Sequence, residues 1–432
     1  MKRLLTFILL SLTAAVCATA QDFDEFVGTN VRRLASNQHT YDPYDTTITA
    51  PPAGYKAFYI SHVGRHGSRY HASESYFSTI KTLEKCDSLG LLTADGKYFL
   101  EAAKQFRDAQ KGHIGELTVK GGHEHMAIAG RMARRYSSVF TNPQRRKVIT
   151  HSTASGRVLK SREYFLTQLR RCYPELEITK YDLGNHPWTK YETSCYPFTA
   201  ELRKKVADDG MSAFRDSLLS VTEVPKFVAK TFTKTDLPEL GMPASRFMLK
   251  LFVMVSIRQC LDDDTLPYLD EYFPFDELLE VIRIDNMDDF NYFCISEENL
   301  GIKSRLMGVA ILESMVKDAD SAIAGSDIAA HLRFSHDTYI EPLISVIGGS
   351  RHDYRGSYRN ANAYWTAGAS VCMATNVQMI FFRGRKGDVL VKVLHNEREI
   401  TFPSLKAKKK VYYSWPELRD YLLARCEHTW ED

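Results

Sequence analysis

The 432-residue chain has little net charge of either sign: 56 lysines and arginines stand against 53 aspartates and glutamates. So even a balance gives no general attraction to nucleic acid or to an anionic membrane. Any anionic ligand must be met by a few arginines gathered in one place. Beyond the N-terminus no run reaches the roughly 18 apolar residues of a membrane span. No CxxC pair and no Cys/His spacing of a zinc site occurs, and internal repeats and low-complexity tracts are lacking. With 44% hydrophobic and 25% charged residues, the length suits one large domain or two interleaved ones. Such a core needs neither metal nor disulfide.

What is present begins with a leader. Lys2 and Arg3 precede the apolar run Leu4 to Val16, which is short for a bilayer, and Ala18-Thr19-Ala20 matches a small-x-small cleavage site. A signal peptide over 1–20 is expected, with the mature chain exported to the periplasm or secreted. Without Lys2 and Arg3 the count is 54 basic against 53 acidic residues. Seven cysteines follow the leader (Cys86, Cys172, Cys195, Cys260, Cys294, Cys372 and Cys426), an odd number that leaves at least one thiol unpaired in an oxidising compartment. The lysines of Lys406–Lys410 lie between strand-like segments and read as an exposed turn.

Periodicity indicates an α/β fold. Lys56 to Val63 reads as a buried strand, Lys147 to Ser152 as a second, and Ile328 to Phe334 alternates as a third. Two more strands, 374–383 and 389–395, are joined by the turn Gly384–Gly387. Helices are predicted at 74–90, 95–111, 120–140 and 301–323; in 120–140, Met126, Ala129, Ala133, Tyr136 and Phe140 mark one buried face. Residues 185–300 lack a clear strand and read as a mostly helical inserted cap. The α/β core then comprises 21–184 and 301–432, a central mixed, mostly parallel sheet flanked by helices.

Arg65-His66-Gly67-Ser68-Arg69 follows the first strand directly. Two guanidiniums flanking one histidine suit an arriving anion, since each offers a planar fork of donors to phosphate oxygens. Their field disfavours the imidazolium and keeps His66 neutral and nucleophilic. Gly67 permits an unusual backbone angle and close approach to a ligand. A second segment, Ser335-His336-Asp337, ends the third strand. Ligands of open α/β sheets bind beyond the carboxyl ends of strands, so the two segments are expected to meet at one edge. A zinc site of His62, His66 and His71 fails, because adjacent arginines oppose a dication and no carboxylate lies nearby in sequence.

These motifs, with Gly115-Glu-Leu-Thr118 and Gly121 before a helix ending Arg134-Arg135-Tyr136, and Ser152-Thr153 followed by Arg157, resemble the histidine acid phosphatase branch of the histidine phosphatase superfamily. The resemblance covers about 57–165 and 300–400. It implies that His66 attacks phosphorus and is phosphorylated, that Arg65, Arg69, Arg157 and His336 hold the phosphoryl oxygens, and that Asp337 protonates the leaving group. Neither metal nor other cofactor is implied, since the guanidiniums supply the positive charge. Arg131, Arg134 and Arg162 are assigned structural roles.

Tyr70-His71 departs from the small residue and proline of many members. An aromatic there is similar to the multiple inositol polyphosphate phosphatases, which usually carry His-Ala-Glu where this chain has His336-Asp337, as in acid phosphatases and many phytases. Phytate or another inositol polyphosphate is therefore one expected substrate class, with His71 and Lys190 as further basic contributors. A broad-specificity acid phosphatase or sugar phosphatase, a mutase, and a catalytically silent phosphate-binding protein remain alternatives.

Overall fold

An apolar run with no polar face belongs inside a sheet, and the strand Lys56–Arg65 (β1) is buried from Ala57 onward. In the computed structural model, which describes residues 22–42, 48–183, 211–298 and 304–427, β1 lies at the centre of an eight-stranded mixed sheet. The others are β2 (Lys147–Thr153), β3 (Glu177–Leu183), β4 (Ile328–Ser335), β5 (Asn376–Arg383), β6 (Val389–His395), β7 (Arg398–Glu399) and β8 (Tyr413–Ser414). Their order is β3-β2-β4-β1-β5-β6-β7, with β8 beside β6. The pairs β2–β3, β2–β4 and β4–β1 are parallel. The hairpin β5–β6 closes the other half antiparallel to β1. The leader, Lys190 and Cys195 lie outside the described residues.

The principal helices are α1 (Ser78–Ser88), α2 (Ala94–Asp108), α3 (Val119–Arg135), α4 (Gly156–Cys172), α5 (Ala244–Ser256), α6 (Phe275–Phe293), α7 (Ala310–Ala324) and α8 (Asp337–Ile347). Both faces of the sheet are covered. Val63, Met379 and Phe381 pack with α7 and α8 on one side; Ile60, Leu332 and Phe334 pack with α3 and α4 on the other. Alternation in β4 suggests one wet face, yet Arg333 and His331 are also buried. Arg333 is paired there with Asp318 of α7.

Three details differ from the sequence reading. Strand β3 was not anticipated, because its exposed, charged residues carry no apolar signal. The helix expected over 120–140 ends at Arg135, where Tyr136 (φ −124°, ψ 39°) leaves helical geometry before the short helix Ser137–Phe140. The helix expected from 301 has a π-helical turn over 304–309 before α7. Residues 211–298 hold helices and no named strand. Most of their buried apolar residues share one cluster with Phe77, Leu83, Phe99 and Phe106 from α1, α2 and the turn before them.

Candidate active site

Parallel neighbours end together. Arg65 pairs with Ser335 across β1–β4, and Ser152 with Phe334 across β2–β4. The chain after β1, after β2 and after β4 therefore emerges at one carboxyl edge, side by side. This brings Arg65, His66, Arg69, Arg157, His336 and Asp337 together although up to 272 positions separate them. The centroids of the His66 and His336 rings lie 5.5 Å apart.

The loop after β1 is held by its backbone. The His66 N–H donates to Ser335 O (3.0 Å), and the Ala374 N–H donates to His66 O (2.9 Å). Gly67 N donates to Ser161 Oγ (3.1 Å), while Ser68 donates through N and Oγ to the buried Glu124 carboxyl (2.7 Å each). Gly67 does not have a positive φ, so the expected unusual angle is absent. Its missing side chain serves close packing instead, since a Cβ there would stand 2.3 Å from Gly121 O. Thr118 joins the same contact. Its Oγ1 accepts from Gly121 N (3.1 Å), capping α3, and donates to Ser68 O (3.0 Å).

Hydrogen bonding sets the state of each imidazole. His66 Nδ1 lies 2.9 Å from Gly67 O, and a carbonyl only accepts, so Nδ1 carries the proton. The lone pair of a neutral ring is then at Nε2. Burial, followed by Arg65, Arg157, Arg69 and His336, holds His66 well below the usual imidazole pKa. His336 accepts from Arg157 Nη2 at Nδ1 (3.5 Å) and donates from Nε2 to Thr153 Oγ1 (3.2 Å). Burial and then Arg157 push its pKa down to about 4.

The carboxyl of Asp337 faces opposing forces. Burial raises its pKa, but Arg65, Arg69, His336 and the Thr338 N–H outweigh this and leave it below the usual value. Its Oδ2 is 2.8 Å from Arg65 Nη2 and accepts from Asn37 Nδ2 (3.0 Å); Oδ1 accepts from Thr338 N (3.0 Å). Arg69 Nε and Arg157 Nε are buried without a hydrogen-bond partner among the described residues. Burial and the neighbouring Arg69 push the Arg157 pKa down to about 10, which leaves it charged at neutral pH. Buried cationic donors of this kind await an anion. Among the described residues no group of three His, Cys, Asp or Glu side chains is arranged to hold a metal ion.

His71 does not add positive charge, contrary to the sequence reading. It is buried, stacked on Tyr76 (4.4 Å) and bonded to Met254 O (2.7 Å), and burial pushes its pKa down to about 3. Tyr70 stacks on His113 (4.9 Å). Arg131 pairs with Glu397 and Arg162 with Asp182. Lys406, Lys408, Lys409 and Lys410 are exposed. Sequence reasoning missed Asn37, which lies between the leader and the first strand and carries no motif. It also missed a cavity of about 490 Å³ beside Asn37 and Tyr76, lined by Arg215, Arg246 and Lys250 among others.

No family model matches the chain, and no curated relative matches it by sequence. Solved structures do match in fold. A multiple inositol polyphosphate phosphatase of Bifidobacterium longum, in complex with inositol hexasulfate, superposes with a TM-score of 0.72 at 18% identity, over 90% of this chain and 97% of that one. Its complex with phosphate gives the same score and identity over 91% and 98%. The phytase of D. castellii gives 0.72 at 14% identity over 92% of this chain and 85% of that one. The architecture described above is therefore the fold of those phosphatases.

Proposed function

We propose that the chain is an exported phosphomonoester hydrolase that needs no metal and works through a covalent phosphohistidine on His66, with Asp337 as proton donor. One observation carries this reading. A neutral imidazole with its lone pair at Nε2 stands among the three guanidiniums of Arg65, Arg69 and Arg157, with a carboxyl bonded to one of them. Such a cluster favours the charge of a phosphoryl group spread over its equatorial oxygens.

In the proposed reaction Nε2 bonds to phosphorus as the ester P–O bond breaks. The leaving alkoxide takes its proton from Asp337, and Gly67 O stabilises the positive charge that develops on the ring through Nδ1–H. Water then attacks phosphorus, gives a proton to Asp337 and releases phosphate, and the electron pair of the P–N bond returns to Nε2. The ionised state of Asp337 before substrate binds fits this scheme. A phosphate dianion between Arg65 and Arg69 offsets the charge that depresses the carboxyl and competes for Arg65 Nη2, so the proton is regained as substrate docks.

The substrate class we favour is an inositol polyphosphate. Arg246 and Lys250, one turn apart on α5, line the adjoining cavity and suit further phosphates on the same ring. The B. longum phosphatase of this fold takes inositol hexasulfate, a polyanion of that shape. Export is inferred from the leader alone. Among the described residues no helix is long and apolar enough to cross a membrane.

The test is phosphate release from p-nitrophenyl phosphate and phytate in EDTA, by wild type and His66→Ala. Chelator-resistant turnover that disappears in the variant is expected. Turnover that survives in His66→Ala, or that EDTA abolishes in wild type, would overturn the reading.

A further inference from the structure

The segment Val31–Gln38 is a 3₁₀ helix broken at Ser36, whose φ of 50° and ψ of −131° lie in a region that residues with a Cβ rarely enter. Backbone strain of this sort persists only where surrounding contacts over-determine it, and it clusters at functional sites. Here Ser36 Oγ donates to Asp289 Oδ2 on α6 (3.1 Å), which pins the kink. The kink delivers the next residue, Asn37, to the carboxyl edge of the sheet.

Asn37 touches both members of the ion pair at that edge. Its backbone carbonyl accepts from Arg65 Nη1, and its side-chain Nδ2 donates to Asp337 Oδ2 (3.0 Å). An amide is suited to this place because it carries both a donor and an acceptor. It meets the carboxylate with N–H, and after a flip meets the protonated acid with its oxygen. An alkyl or purely acceptor side chain serves at most one of those states.

We infer that Asn37 is a positioning residue for the proton donor, holding Asp337 towards the leaving-group side of the phosphoryl site through both of its protonation states. The inference rests on the phosphohydrolase reading above and adds to it a residue outside every motif of the chain. The two contacts are separable by mutation. Replacing the side chain leaves the backbone carbonyl on Arg65, so phosphate binding is kept while the carboxyl loses its guide.

The experiment measures kcat and KM of Asn37→Ala on an alkyl phosphate and on p-nitrophenyl phosphate, beside wild type and Asp337→Asn, with inorganic phosphate inhibition as a separate reading of the anion site. For Asn37→Ala we expect kcat on the alkyl ester to fall about tenfold or more, with the aryl ester within about threefold, because an activated phenolate needs little protonation. KM and phosphate inhibition should stay within about twofold of wild type. Equal losses on both esters, or a weakened phosphate site, would show a merely structural role and overturn the inference. Asn37→Ser, polar but too short to reach Oδ2, gives the same discrimination if Asn37→Ala does not fold. If Asp337→Asn shows the leaving-group bias and the Asn37 variants do not, the Asn37 inference alone fails. If Asp337→Asn shows no bias, the proton-donor reading fails and takes this one with it.

Discussion

At the scale of single residues, the site turns on who holds the carboxyl of Asp337. Arg65 is both its ion-pair partner and a ligand proposed for phosphate, so substrate and proton donor compete for one guanidinium nitrogen. Removing the proton while keeping the shape isolates that role. Asp337→Asn should lose about 10²–10⁴-fold on alkyl phosphates and much less on p-nitrophenyl phosphate. Steady-state kinetics on the two esters check this; parallel losses would count against Asp337 as the acid. Most of these residues were legible in sequence, since Arg65, His66 and Arg69 are covalent near-neighbours and His336 precedes Asp337. The state of each ring was not. Which nitrogen of His66 bears the proton depends on Gly67 O in three dimensions, and the loss of charge on His71 depends on its burial.

At the scale of elements, the loop after β1 and the first turn of α3 meet backbone to backbone. A Cβ on Gly121 would stand 2.2 Å from Ser68 O, a contact that only a main-chain shift relieves. By contrast, a Cβ on Gly130, in the same helix, meets nothing nearer than the flexible end of Arg134 at 3.4 Å. Gly121→Ala should therefore cost about 1–3 kcal/mol of stability by overpacking, and it should slow turnover by displacing the His66 loop. Gly130→Ala should be neutral or gain up to about 1 kcal/mol from helix propensity. Urea denaturation of the two variants decides it, and equal stabilities would refute the close-contact argument.

The same scale explains what the sequence conceals about elements. Strands β1, β2 and β4 announce themselves because central parallel strands are continuously apolar or alternate clearly. Strand β3 lies at the sheet edge with Glu177, Lys180, Tyr181 and Asp182 exposed, and its pairing to β2 is a backbone matter that side-chain patterns do not report. The Asn37 segment is hidden for a related reason. A 3₁₀ kink held by Asp289, more than 250 positions away, leaves no local signature.

Across the whole molecule, buried neutral histidines couple stability to pH. Burial pushes His62, His71 and His395 to about 3 and His125 to about 4, against an ordinary 6.5. Above 6.5 neither the folded nor the unfolded chain protonates these rings. As pH falls below 6.5 the unfolded chain takes up protons that the folded chain refuses, so stability declines until the folded rings titrate near 3–4. Calorimetric unfolding midpoints should drop between pH 6.5 and 4, and a constant midpoint would contradict the buried-neutral assignment. The proposed acid chemistry runs the other way, because Asp337 must carry a proton. As pH falls, the proposed activity and the stability then pull in opposite directions.

The sequence by itself determined the chemistry on offer: two arginines around one histidine, a distant histidine–aspartate pair, near-neutral charge, and strands to carry both motifs. These are properties of covalent neighbours and of side-chain period, and neither needs a fold to be read. Only the tertiary structure decided that the motifs share one strand edge, which nitrogen of His66 keeps a free lone pair, that Arg65 holds Asp337, and that Asn37 stands beside them. Those facts depend on strand register, burial and contacts between residues hundreds of positions apart. Such contacts are selected by packing free energy summed over the whole chain, and no single segment encodes them.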